Sequence, residues 1–203
     1  MLEGSIVALV TPMKAGGAVD WIALEKLLEW HLENGTHGIV PMGTTGESAT
    51  LDTDEHLKVI KRTIEVVGGR VPVVAGTGSN STAEAIHQTQ EAERAGADAC
   101  LLVTPYYNKP TQEGLYAHYR EIASATSVPI VLYNVPPRTA CDMSAETVAR
   151  LSELDGVVGI KEACGDVERV KEIHDLVGEG FVILSGEDAQ TRQMFDYGAK
   201  GAI

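Results

Sequence analysis

The chain has 203 residues, 44% hydrophobic, with 21 glycines and 8 prolines, which suffices for one sizeable core and one domain or slightly more. Its 29 acidic residues against 16 basic ones give a formal net charge of -13, which argues against a nucleic-acid surface and against a polybasic membrane surface. Cys100, Cys141 and Cys164 show no metal-ligand spacing and fit free thiols in a reducing compartment. With no basic leader ahead of Gly4 and no apolar stretch long enough for a bilayer, the expectation is a soluble cytoplasmic protein.

In chain order, a unit recurs: a short apolar run, a loop, then an amphipathic helix often closed by glycine. The runs cover residues 5–10, 38–42, 71–75, 99–103, 129–133, 157–161 and 181–185, and a last one opens at 201–203. Near-continuous apolar strands mark a parallel sheet covered on both faces. Between them, residues 20–34 place Leu24, Leu27, Leu28, His31 and Leu32 on one helical stripe. Thr53 is the expected N-cap ahead of Asp54 and Glu55; Ser81-Thr82 and Ser144 open the helices predicted over 83–95 and 145–154. Gly35, Gly68, Gly96, Gly156, Gly178 and Gly198 fall where helix C-caps belong. Eight strand signals alternating with helices predict an α/β protein with a (β/α)8 TIM barrel, whose site lies at the C-terminal ends of the strands. A doubly wound open sheet competes. Its phosphate fingerprint after strand one is replaced here by Thr11-Pro12-Met13, which favours the barrel.

Chemistry-bearing residues collect at those strand ends. Lys161 closes the apolar run 157–161. Burial drives a lysine toward the neutral amine, a nucleophile for ketones and aldehydes. The plainer reading is a lysine snorkelling to the surface. After strand two, residues 43–48 offer glycines for close backbone approach and the hydroxyls of Thr44 and Thr45, without the lysine of a phosphate loop; taken alone, this is a simple turn. Tyr106 and Tyr107 follow strand four, where paired tyrosines usually pack or anchor an interface. Tyr133 is an acid/base candidate or a core tyrosine. Arg138 is a carboxylate fork or a surface ion pair, in a loop stiffened by Pro136 and Pro137. Together they supply what a Schiff-base lysine needs: a proton donor and acceptor, and an anchor for an acidic substrate. His31, His87, His118 and His174 read as packing or surface residues. No histidine pair suggests a metal, so a lysine mechanism is preferred to a zinc-assisted aldol reaction.

At these residues the chain resembles the dihydrodipicolinate synthase family of lysine biosynthesis. The resemblance covers essentially all 203 residues. It rests on residues 4–8 with Thr11-Pro12-Met13, on 43–50, on Gly76-Thr77-Gly78 with Asn80, and on 104–108, 133–139, 159–163 and 185–188. It implies that Lys161 forms a Schiff base with pyruvate and that Tyr133 is the central acid/base. Thr44 and Tyr107 would complete a proton relay, with Tyr107 supplied by a neighbouring subunit. Thr45 would help hold the pyruvate carboxylate and Arg138 the carboxylate of aspartate semialdehyde, while Gly186 and Ile203 line the site through backbone atoms. The product would be 4-hydroxy-tetrahydrodipicolinate, with no cofactor or metal required. The resemblance also implies an inhibitory L-lysine pocket at a dimer interface, matched by Ser48, Ala49, His56, Asn80, Glu84 and Tyr106, with Thr53 in place of a frequent histidine. A homo-oligomer, usually a dimer of dimers, is implied as well.

The family pattern continues past the point where this sequence stops, in strand eight at Ile203, so residues 1–203 are expected to form a barrel domain incomplete at its C-terminal end. The last helix and a C-terminal helical region would be missing. A sheet edge or gap and an exposed apolar seat are the expected consequences. Two other functions stay open at this level: a sister pyruvate lyase or aldolase acting on N-acetylneuraminate or 2-keto-3-deoxy sugar acids, and a noncatalytic truncated remnant.

Overall fold

A computed structural model describes residues 2–203. Eight strands, β1 (Gly4–Ala8), β2 (Gly38–Val40), β3 (Val74–Gly76), β4 (Ala99–Val103), β5 (Ile130–Asn134), β6 (Val157–Glu162), β7 (Val182–Ser185) and β8 (Gly201–Ala202), pair in parallel in the order β2-β1-β8-β7-β6-β5-β4-β3. The two ends of that order also meet. Ile39 bridges Val73, with Ile39 N donating to Pro72 O at 3.0 Å and Gly76 N to Pro41 O at 3.0 Å. The helices are α1 (Trp21–Glu33), α2 (Thr53–Val67), α3 (Thr82–Ala95), α4 (Gln112–Ser124), α5 (Pro136–Thr139), α6 (Ala145–Ser152), α7 (Glu168–Val177) and α8 (Thr191–Asp196).

The expected gap at strand eight is not there. β8 has only two residues, yet it pairs with both β1 and β7, because strand pairing needs backbone groups alone. Gly4 N donates to Lys200 O, Lys200 N to Ile183 O and Ile203 N to Ser185 O, which sews the seam shut.

Period-two alternation divides the core. Ile6, Val40, Val74, Leu101, Val131, Tyr133 and Leu184 form a cluster built from strands and the loop residue Val135, the barrel interior. Intervening strand residues such as Cys100, Leu102 and Leu132 join Leu115, Tyr119 and Ile122 of α4 in the shell beneath the helices. Two local expectations are corrected. Asp52, not Thr53, caps α2: its carboxylate accepts from Glu55 N at 2.8 Å, and Thr53 is the first helical residue. Residues 136–139 are one turn of helix rather than a stiff loop, since proline is pre-set for a first helical turn.

Candidate active site

The barrel brings most of the sequence-predicted residues to one open cavity of about 830 Å³ that runs from the C-terminal ends of the strands along β1 to His31 and Thr36. Thr44, Thr45, Tyr133, Arg138, Lys161, Gly186 and Ile203 all line it. Each is placed by its local chain. Thr11 Oγ1 donates to Gly46 O at 2.6 Å, and Gly46 N and Glu47 N turn back onto Gly43 O and Thr44 O, which fixes the loop carrying Thr44 and Thr45. The single turn of α5 carries Arg138, whose N–H donates to Val135 O at 2.9 Å. Tyr133 and Lys161 are paired in register across β5 and β6 and both point inward.

Lys161 is 6% exposed, so the snorkelling reading fails. Burial pulls its ammonium down to about 8; the carboxylate of Asp188 opposes this and the guanidinium of Arg138 adds to it. Nζ lies 4.4 Å from the centre of the Tyr133 ring. Burial raises the Tyr133 phenol, while the Thr44 hydroxyl and the charge of Arg138 pull it back. An amine more readily deprotonated than an ordinary lysine thus lies over the ring of a buried tyrosine, an arrangement suited to carbonyl condensation.

Tyr107 is not brought to this cavity. It is 89% exposed, at φ 72, and is not among the residues lining the cavity. Asn80 Nδ2 donates to Tyr106 O and Asn108 Nδ2 to Asn80 O, which clamps the loop in that shape.

A second, smaller cavity of about 110 Å³ gathers Ser48, Ala49, His56, Glu84 and Tyr106, five of the six residues assigned to the lysine pocket, with Thr53 beside them. Asn80 does not line it. Gln88 does, and was missed; its Oε1 is buried without a hydrogen-bond partner. A void of about 20 Å³ touches Ser48 and Gly78 on one side and Thr44 and Tyr133 on the other, between the two cavities.

Two further features were given no role by the sequence reading. Glu187 and Asp188 line the large cavity alongside the two cations. Behind the site, Asn134 Nδ2 donates to both Glu162 oxygens at 3.1 Å and to Asp142 Oδ1 at 2.9 Å, and Arg169 pairs with Asp142 at 3.2 Å. The signal for this network was the position of Asn134 and Glu162 immediately after Tyr133 and Lys161, on the opposite face of each strand.

With this geometry in place, comparison with known proteins is decisive. The dihydrodipicolinate synthetase family profile matches residues 1–203. The chain belongs to that family. It is 59% identical over 203 residues to the 4-hydroxy-tetrahydrodipicolinate synthase of Ectopseudomonas mendocina, covering 100% of this chain and 70% of that protein. With the Pseudomonas aeruginosa enzyme of the same name the identity is 57% over the same shares. Among solved structures, the chloride-inhibited dihydrodipicolinate synthase of Acinetobacter baumannii in complex with pyruvate superposes with a TM-score of 0.98 at 54% identity, over 100% of this chain and 70% of that one. The Cyanidioschyzon merolae family member with lysine bound gives 0.96 at 42% identity, over 99% and 69%. The open-sheet alternative is thereby set aside for the TIM barrel of the family.

Proposed function

We propose that this chain is a lyase of lysine and diaminopimelate biosynthesis that condenses pyruvate with L-aspartate 4-semialdehyde to give 4-hydroxy-tetrahydrodipicolinate. The observation that carries the reading is the buried Lys161, lowered to about 8 and set against Tyr133. Neutral Nζ attacks C2 of pyruvate, and loss of water leaves a protonated imine. Removal of a C3 proton gives the enamine, whose C3 attacks the aldehyde carbon. The substrate amine then displaces Lys161 from C2 and the ring closes. Tyr133 with Thr44 moves protons at the carbonyl oxygens, and Tyr107 from a neighbouring subunit completes the relay. Thr45 and the backbone at Gly186 and Ile203 seat pyruvate, and Arg138 takes the second carboxylate through its planar fork. Two carboxylate-bearing substrates, one an anion and the other a zwitterion, suit these two local cations despite the net charge of -13.

The Acinetobacter baumannii relative with pyruvate and the Cyanidioschyzon merolae relative with lysine support pyruvate as substrate and L-lysine as feedback inhibitor, with the small cavity as its seat. A homo-oligomer follows from the donated Tyr107. Three free cysteines suit a cytoplasmic setting, and no described helix is long and apolar enough to cross a membrane.

The test is borohydride reduction with pyruvate, followed by intact mass and peptide mapping. One adduct at Lys161 is expected. Pyruvate with aspartate semialdehyde is then compared with pyruvate and a sugar aldehyde. Faster turnover of the sugar would move the chain to the sister lyases, and no adduct on folded protein would make it noncatalytic.

A further inference from the structure

The ring-closing step poses a problem of its own. The second substrate arrives with its amine protonated, yet that nitrogen must become a free amine beside the carbon bonded to Nζ. A group is needed that attracts an ammonium and accepts its protons within reach of Lys161.

The segment after β7 crosses directly over Lys161. Glu162 pairs with Ser185, and Gly186 N donates to Glu162 O at 2.8 Å. A Cβ at Gly186 would lie 2.8 Å from Lys161 Cε and 2.8 Å from Ala163 Cβ, so only glycine lets the backbone pass this close to the lysine stem. The segment is pinned. Thr191 Oγ1 lies within hydrogen-bond distance of Ser185 Oγ, at 2.8 Å, and of Glu187 O, at 3.1 Å, and Gln190 Nε2 donates to Gly165 O at 2.8 Å. Two residues beyond Gly186 stands Asp188. It lines the cavity with Glu187, Arg138 and Lys161, and none of these four side chains has an ion-pair partner among the described residues. Of the two acids, Asp188 is the one whose charge acts on Lys161. Glu187, Arg138, Tyr133 and His31 are the other titratable groups lining the same cavity.

We infer that Asp188 receives the ammonium group of the amino-aldehyde substrate and shuttles its protons to Lys161 as the ring closes. The inference rests on the function proposed above and assigns a residue that the family resemblance left without a role. The step balances. Two protons leave the substrate nitrogen for Nζ, a bond forms between that nitrogen and C2, and the C2–Nζ bond breaks with its electron pair returning to lysine. Asp188 takes each proton in turn, hands it on, and ends ionised as it began. Arg138, of opposite charge, takes the carboxylate, so the two ends of the substrate are read by opposite signs in one cavity.

The experiment uses Asp188→Asn and Asp188→Glu with two aldehydes: aspartate semialdehyde, and succinate semialdehyde, which keeps the aldehyde and carboxylate but has no amine. Asp188 is exposed on a loop, so neither variant disturbs the core. For Asp188→Asn, kcat/KM with aspartate semialdehyde falls by about 10²-fold, the usual contribution of a positioned acid/base group, and Asp188→Glu recovers part of it. The inhibition constant of succinate semialdehyde stays as in the unsubstituted chain, and pyruvate with borohydride still modifies Lys161 to one adduct per chain. Equal weakening of both aldehydes, or no change with aspartate semialdehyde, would overturn the role of Asp188 while the adduct still upheld the lysine chemistry. An unsubstituted chain without the adduct would overturn both.

Discussion

Asn134 donates to both carboxylate oxygens of Glu162, one step beyond the register pair Tyr133 and Lys161. Both residues are fully buried, and Glu162 also accepts from Cys164 N at 2.8 Å. Inward, the two strands present the proposed reacting pair; outward, they are locked by an amide against a carboxylate. Asn134→Ala leaves that carboxylate short of donors, at a cost of about 1–3 kcal/mol. At roughly 2–4 °C per kcal/mol for a chain of this size, the unfolding midpoint drops measurably. Burial raises the Glu162 carboxyl above its ordinary value, so the folded state holds its proton more tightly than the unfolded chain. The Glu162 contribution is therefore largest below the ordinary carboxylate range and is lost as pH rises through the folded value. Thermal melts of Asn134→Ala at pH 5 and pH 8 should show the larger deficit at pH 8, and adding Glu162→Gln should remove the difference. An unchanged midpoint in the single variant would mean that the network does not hold the strands.

Lys161 carries a stability cost tied to its reactivity. Its folded value of about 8 lies below the 10.5 of an ordinary lysine. Between the two the unfolded chain binds more protons, so stability rises with pH across that window; below it the buried cation penalty is constant. Lys161→Met removes the penalty, which amounts to at most about 3 kcal/mol. At pH 7 the variant should melt higher than the parent while forming no pyruvate adduct. In the parent, the initial rate of adduct formation should climb with pH and reach half its plateau near 8. A lower melting temperature for Lys161→Met would show that packing of the stem outweighs the charge.

What the sequence made legible was whatever depends on strand period and strand ends. The runs 99–103 and 157–161 match β4 and β6 to within a residue, and Lys161 was readable because a cation closing an apolar run is costly to bury unless its amine is put to use. Capping at Thr53 was misjudged because Asp52 and Thr53 are both good caps, and only the backbone angles separate them. Closure at β8 was misjudged because it depends on backbone groups of Lys200 and Ile203, which carry no sequence signal. Asp188 stood in the family motif without a role and Gln88 was not singled out, for another reason: their significance lies in which cavity each one lines, and that is a property of loops brought together by the whole barrel.

His118 sets an acid limit. Its ring is buried between α3 and α4, with Nδ1 at 2.8 Å from Thr82 Oγ1 and Nε2 unpartnered. Burial lowers it to about 4, against an ordinary 6.5. The neutral ring therefore contributes stability that is complete above 6.5 and is lost as pH falls through 4, by about 3 kcal/mol at the end of that range. Melts between pH 7 and pH 4 should fall more steeply for the parent than for His118→Phe. Parallel slopes would mean that other groups govern the acid limb.

In the small cavity, Glu84 accepts from Ser79 Oγ at 2.6 Å and from Gln88 Nε2 at 3.4 Å. These contacts aim an anion at any ammonium entering between Ser48 and Tyr106. Glu84→Gln keeps the shape and removes the charge, so the lysine concentration for half inhibition should rise by at least about tenfold. Inhibition curves at fixed pyruvate measure it. An unshifted curve would place the regulatory lysine elsewhere.

Tyr107 decides whether the site is shared. A tyrosine held at φ 72 costs on the order of 1–3 kcal/mol, which the surrounding loop must sustain, and its side chain is exposed and outside its own cavity. If it serves a neighbour, Tyr107→Phe and Lys161→Met are defective in different places. A mixed dimer then contains one complete site, with Lys161 from one chain and Tyr107 from the other. Co-refolding the two inactive variants in equal amounts should restore about a quarter of the parental activity, since half of the dimers pair unlike chains through a two-fold interface and each has one good site of two. Either variant refolded alone should stay inactive. A mixture no more active than its components, at confirmed dimer size, would place the functional tyrosine within its own subunit and require the loop to move.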